Sequence, residues 1–267
     1  MKIRAITGFF FVAVMIASLL LGAYVFTLFV LILSVLAMDE FYHLVSSPII
    51  KPQKIMGIVL AISIYLPLYQ HLSKGESLQN MLLCVPLVVA IFIVELYRKC
   101  QMAFHGIAYT LFGVLFAAAP FYFFYALAFI DGGYNAHYPL GFLVLLWAND
   151  TGAYLIGSKW GRHKLFERHS PKKSWEGFLG GILSCLLVSL IISYYFHELS
   201  NIHWLIIAFI TGLVGTFGDL SESMLKRSLA TKDSGYLLPG HGGILDRFDG
   251  LLLAAPLVYV YLQLLLR

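Results

Sequence analysis

Charge is what this chain has least of. Only 12% of its 267 residues are Asp, Glu, Lys or Arg, against about 25% in an ordinary soluble domain. Hydrophobic residues make up 60%, and the mean hydropathy is +0.84. No soluble core of this length can hide so much apolar surface, so the composition excludes a soluble globular protein and points to a polytopic membrane protein. Cysteine is scarce as well. Cys84, Cys100 and Cys185 form no CxxC pair and two lie in apolar runs, which argues against a disulfide framework or a zinc site. Internal repeats, low-complexity segments and a separate soluble domain are absent too. The first apolar run lacks a clear small-residue cleavage site and leads straight into a second, so it reads as a retained span and not as a signal peptide.

What remains is a series of apolar runs, each near the roughly 20 residues that a membrane helix needs. Ile6–Leu21 and Ala23–Met38 form one apolar stretch too long for a single crossing, with Gly22 as the turn. Ile55–Leu72, Leu78–Tyr97 and Phe104–Ile130 follow, the last long enough to tilt and kinked at Pro120. Pro139–Gly157, Gly177–Phe196, Trp204–Leu220 and Leu251–Leu266 complete an all-α architecture of about nine transmembrane helices, or eight if the first pair is one long helix. The spans divide into an N-terminal membrane segment, 1–138, of about five helices and a C-terminal membrane segment, 139–267, that holds the polar stretch 223–249. With the N-terminus in the cytoplasm, only Lys74 and Arg267 of the 18 lysines and arginines fall outside. The positive-inside rule therefore supports nine spans with the C-terminus out.

The scarce polar residues are concentrated, above all between Ser223 and Asp249. Lys226, Arg227, Lys232, Asp233, His241, Asp246, Arg247 and Asp249 crowd into that stretch, and Gly240, Gly242 and Gly243 leave backbone N–H groups open to an anion. Polar groups at the edge of an apolar protein are costly, so a functional site is the default expectation. Asp219, Ser223 and Lys226, at i, i+4 and i+7, share one helical face with Glu222 adjacent. The acid could hold a metal while the lysine meets phosphate, and the plainer reading is an ion pair at a helix end. Asp246 and Asp249 open the last span, where a helix dipole favours acids in any case. Two acids after a Pro-Gly-His-Gly-Gly loop nevertheless suit a hard divalent cation that also binds phosphate. His241 reads equally as a loop histidine or a phosphate contact. Asp150, beside Asn149 inside the sixth apolar run, should face a polar cavity or a partner, unless it merely packs helices. The basic loop Lys159–Lys173, with Lys172, Lys173 and Ser174, reads as a topology anchor on anionic headgroups or as a phosphate-capturing element.

The spaced pattern Ser223-x-x-Lys226-Arg227-x4-Lys232-Asp233-x5-Pro239-Gly-His-Gly-Gly-x-x-Asp246-Arg247-x-Asp249 closely resembles the signature of the phosphatidate cytidylyltransferase family. Asn149-Asp150-Thr-Gly-Ala-Tyr154, Gly157-x3-Gly161 and Ser170-Pro-Lys-Lys-Ser-Trp-Glu-Gly177 resemble further family blocks. The resemblance covers the C-terminal half; the first 140 residues share only hydrophobic spans. It implies the reaction CTP plus phosphatidate to CDP-diacylglycerol plus pyrophosphate, in phospholipid synthesis. It also implies a homodimeric enzyme of the bacterial inner membrane with its site facing the cytoplasm, and no nucleic-acid partner. The cofactor it implies is Mg²⁺, with room for a second cation, on Asp219 and Asp246, and with Asp249 as a weaker third ligand. Catalytic roles are expected for Asp219, Ser223, Lys226, Arg227, Lys232, Asp246 and Asp249. Substrate contacts are expected for Asp150, Lys172, Lys173, Ser174, His241, Gly242, Gly243 and Arg247. Competing readings are a CTP-dependent lipid kinase of the same superfamily and, from another class, a secondary transporter. Polar residues gathered in one half fit a transporter poorly. A CDP-alcohol phosphotransferase lacks support beyond the fragment Asp246–Gly250.

Overall fold

In a bilayer every backbone N–H and C=O must be satisfied within the chain, and a helix does this residue by residue. The computed structural model, which describes residues 2–235 and 242–266, is accordingly 78% helical. Among the described residues eight helices are long and apolar enough to cross a membrane, and Thr7–Leu20 is a shorter apolar helix. One short hairpin is the exception to the all-α expectation.

The helices cluster into two compact units: residues 1–134 with 233–247, and residues 135–232 with 248–267. In the first unit, α1 (Lys2–Leu20) stops before Gly22, whose φ of 102° suits only glycine, and α2 (Ala23–Val45) begins directly after it. The expected turn between the first two runs is therefore where the sequence placed it. α3 (Lys54–Lys74) ends on the left-handed Gly75, and a 3₁₀ segment, Leu78–Leu83, leads into α4 (Cys84–Tyr97). α5 (Ala103–Gly113) passes through a π-turn at Val114–Ala118 into α6 (Ala119–Leu127). Pro120 offers no N–H to the preceding turn, and the widened π-turn lies immediately before it.

Aromatic side chains fill the core of this unit. Phe26 meets Phe124 edge-on at 5.5 Å between ring centroids, and Tyr125 lies 4.9 Å from Phe129; such pairs contribute about 0.5–1.5 kcal/mol each beyond area burial. Several of its buried polar groups are tied together. The Tyr42 hydroxyl donates to the Thr110 carbonyl at 2.7 Å, Gln53 donates to Glu95 at 2.6 Å, and Arg98 donates to Glu95 at 2.8 Å.

In the second unit, α7 (His137–Trp160) is followed by an antiparallel hairpin, β1 (Lys164–Phe166) and β2 (Ser170–Ser174). α8 (Trp175–Tyr195) and α9 (Asn201–Ser228) follow, then α10 (Leu245–Leu265), which joins this unit from Phe248 onward, where its helical angles are interrupted. α7 and α8 approach closely because small residues face each other. A Cβ on Gly180 would lie 2.5 Å from Ile156, and one on Gly152 would collide with Ser184.

Candidate active site

The basic loop of the sequence becomes the β1–β2 hairpin, and its position is fixed from α8. The Trp175 N–H donates to the His163 carbonyl at 2.9 Å. Glu176 accepts from the Arg162 N–H at 3.0 Å and meets the His163 ring at 2.6 Å. Ser174 is the N-cap of α8, its hydroxyl accepting from the Gly177 N–H at 3.2 Å, so the first contact of this expected substrate residue is structural. Lys173 is half-buried, and its ammonium pairs with Asp219 of α9 at 2.5 Å.

A cavity of about 520 Å³ opens between these elements. Asn149, Asp150 and Tyr154 of α7 line it, with Lys172, Lys173 and Ser174 of the hairpin and Thr216 and Asp219 of α9. Two ammonium groups and two carboxylates thus line one cavity. Asn149 is 3% exposed. Its amide nitrogen donates to the Thr216 hydroxyl at 3.4 Å, while its side-chain carbonyl oxygen has no hydrogen-bond partner among the described residues.

The face expected on α9 is present. Ser223 donates to Asp219 at 3.3 Å. Lys226 pairs with Glu222 at 2.5 Å. Glu222 is 1% exposed; a carboxylate so placed requires a cation beside it, and the i, i+4 spacing to Lys226 was its only sequence signal. Asp249 accepts from the Gly250 N–H at 2.6 Å, and Asp219, Glu222 and Asp150 all bear on it electrostatically. Arg227 is exposed and donates to the Thr231 carbonyl at 3.1 Å, closing the end of α9; Lys232 is exposed. Among the described residues, Ser223, Lys226, Arg227, Lys232 and Asp249 do not line the cavity.

Asp246, Gly242, Gly243 and Arg247 belong to the other unit. Asp246 accepts from the Ser234 N–H at 3.0 Å and the Gly243 N–H at 2.9 Å, and Arg247 is exposed. His241 lies outside the described residues.

No group of three or more His, Cys, Asp or Glu side chains among the described residues is arranged to hold a metal. That does not conflict with Mg²⁺, which is usually held by one or two carboxylates and completed by water and substrate phosphate. Asp219 and Asp249 offer hard oxygen donors of that kind, close enough to repel each other as anions. The donor set fits.

Comparison with known proteins gives the frame for this site. A model of the cytidylyltransferase family matches residues 2–265. A protein named phosphatidate cytidylyltransferase from Staphylococcus aureus (strain COL) is 34% identical over 265 residues, 98% of this chain and 99% of that protein. One of the same name from Staphylococcus haemolyticus is 35% identical over 267 residues, with the same coverage of both. A match that runs nearly from end to end, through both units and all the polar blocks, leaves one assignment: the chain belongs to the cytidylyltransferase family.

Proposed function

We propose that this chain is a phosphatidate cytidylyltransferase, joining CTP and phosphatidate into CDP-diacylglycerol with release of pyrophosphate. The observation that carries the reading is the cavity in which Lys172 and Lys173 face Asp150 and Asp219, within a chain that matches the family along its whole length. Lipid phosphate has a second pKa near 6, so it is already a nucleophile at neutral pH and needs no Ser–His or Cys–His activation. One of its oxygens bonds to the α-phosphorus of CTP, the bond from that phosphorus to the bridging oxygen breaks, and pyrophosphate leaves with the electron pair. The protein's task is to align the two substrates and balance their charge. Lys173 and Lys172 supply cations at the cavity wall, and Lys226, Arg227, Lys232 and Arg247 are the further bases assigned to phosphate. A bound Mg²⁺ would supply Lewis-acid stabilisation of the phosphate oxygens. Asp219 and Asp249 would hold it, and Lys173, the present partner of Asp219, would be freed for substrate phosphate. Asp246 keeps its expected ligand role as a separate proposal with its own variant.

The same reading places the N-terminus, the β1–β2 hairpin and the signature on the cytoplasmic side of a bacterial inner membrane, gives the chain nine spans, and makes it a homodimer. The experiment is liponucleotide synthesis by the purified protein in detergent–phosphatidate micelles. CDP-diacylglycerol and pyrophosphate in equal amounts, dependent on added Mg²⁺, are expected. Absence of both from a folded preparation supplied with CTP and Mg²⁺ would refute the reading.

A further inference from the structure

Glu40 lies near the end of α2, a mainly apolar span, and is 7% exposed. A carboxylate there is costly unless it is well partnered. Its partners are 204 and 205 residues away. One oxygen accepts from the Ile244 N–H at 2.8 Å and the other from the Leu245 N–H at 3.0 Å. These are N–H groups at the very start of α10, donors that no earlier helical turn can satisfy. A local side chain normally caps such donors, but here the nearby Asp246 is engaged with the Ser234 and Gly243 N–H groups. The cap therefore comes from α2. Two glycines make room for it: a Cβ on Gly235 would lie 2.8 Å from a Glu40 oxygen, and one on Gly243 would collide with the other. Main chain at Ser234–Gly235 and at Gly243–Leu245 thus closes on two carboxylates, Glu40 and Asp246.

We propose that Glu40 is a positioning residue for the reaction: its two oxygens fix the main chain of Ile244 and Leu245 and so fix the direction in which Asp246 projects. The neighbouring acid has a different task. Asp39 is exposed enough to pair with Lys54 and with His43 on the surface of the same unit. It therefore serves as an internal control of equal charge, one residue away.

The kinetic arm of the test rests on the cytidylyl-transfer reading; the exchange arm does not. Full-length Glu40→Gln, Gly235→Ala and Asp39→Asn proteins are purified in detergent, and hydrogen–deuterium exchange is followed in peptides covering residues 242–250. Steady-state turnover is measured while CTP and phosphatidate are varied in turn. Glu40→Gln should lose about 10-fold or more in kcat, the scale expected when a reacting group is misplaced by a fraction of an ångström. KM values should stay within about twofold, and exchange at 243–246 should quicken while α3–α6 are unchanged. Gly235→Ala, which displaces the carboxylate without removing it, should change both readouts in the same direction and covers the case in which Glu40→Gln does not fold. Asp39→Asn should match the unaltered protein. The proposal is overturned if the Glu40 and Gly235 variants exchange at the normal rate in 243–246, or if Asp39→Asn loses as much kcat as they do. An unaltered protein that makes no CDP-diacylglycerol would instead remove the functional reading and leave the exchange result standing.

Discussion

Asp219 is the residue where a structural ion pair meets the proposed metal role. Its carboxylate takes the Lys173 ammonium at 2.5 Å and the Ser223 hydroxyl at 3.3 Å, and it stands near Asp249. An acid that only stabilised the fold through Lys173 would tolerate loss of charge far better than one that also carries a metal. Asp219→Asn keeps the shape and removes the charge; turnover should fall by at least about 10²-fold, the scale of losing one electrostatic contact in the transition state. Asp246→Asn should fall comparably. Rates are to be measured at limiting Mg²⁺, and near-normal turnover of both variants there would refute the metal assignment. Lys173→Met should act differently. It leaves the carboxylates in place and removes a cation from the cavity wall, so KM for the phosphate-bearing substrates should rise more than kcat falls. A pure kcat loss in that variant would mean that Lys173 acts on the transition state and not on binding. The i, i+4, i+7 face of α9 was legible because helical spacing alone decides it. The pairing was not: Lys173 reaches Asp219 only because a hairpin folds back, and nothing local marks that contact.

Among the elements, α7 lines the site and α8 anchors the hairpin that completes it, and the approach of these two helices depends on glycine. Gly152→Ala puts a methyl group into Ser184 and within 2.8 Å of the Gly180 carbonyl. Overpacking of this kind costs about 1–3 kcal/mol, so the thermal midpoint in detergent should drop by several degrees. Ser184→Gly in the same protein should recover part of the loss. An unchanged midpoint for the single variant would show that the helices can separate without cost. Long elements were legible in the sequence, since a bilayer allows few alternatives to a continuous apolar helix: Gly22 falls at the break between α1 and α2, and Pro120 lies beside the π-turn. Short ones were not. β1 and β2 have three and five residues and no apolar alternation, so the basic loop looked featureless. Glu40 was invisible for another reason. It is an acid near the end of a span, where a surface ion pair is the ordinary explanation, and its partners lie in the last tenth of the chain.

For the whole molecule, the distribution of lysine and arginine makes a claim about sidedness that the helices alone do not. Eight described helices have the length and apolarity to cross, and α1 decides whether the count is odd. The positive-inside rule favours an odd count, with Lys74 outside and the β1–β2 hairpin inside. Single cysteines at Lys164 and Lys74 of a cysteine-free variant should label from opposite faces of sealed cells. Labelling of both from the outside would require a different number of crossings.

The central claim is that the lipid phosphate attacks the α-phosphorus of CTP. A lipid kinase would use the same cations and metal but transfer the γ-phosphoryl group to a hydroxyl, releasing CDP. The two differ in which phosphorus enters the lipid. The decisive measurement supplies CTP labelled at the α or the γ phosphate to the purified protein, with phosphatidate and diacylglycerol offered separately. The account predicts α label in lipid with phosphatidate only, and γ label recovered in pyrophosphate. Transfer of γ label to diacylglycerol, with no α label in any lipid, would contradict it.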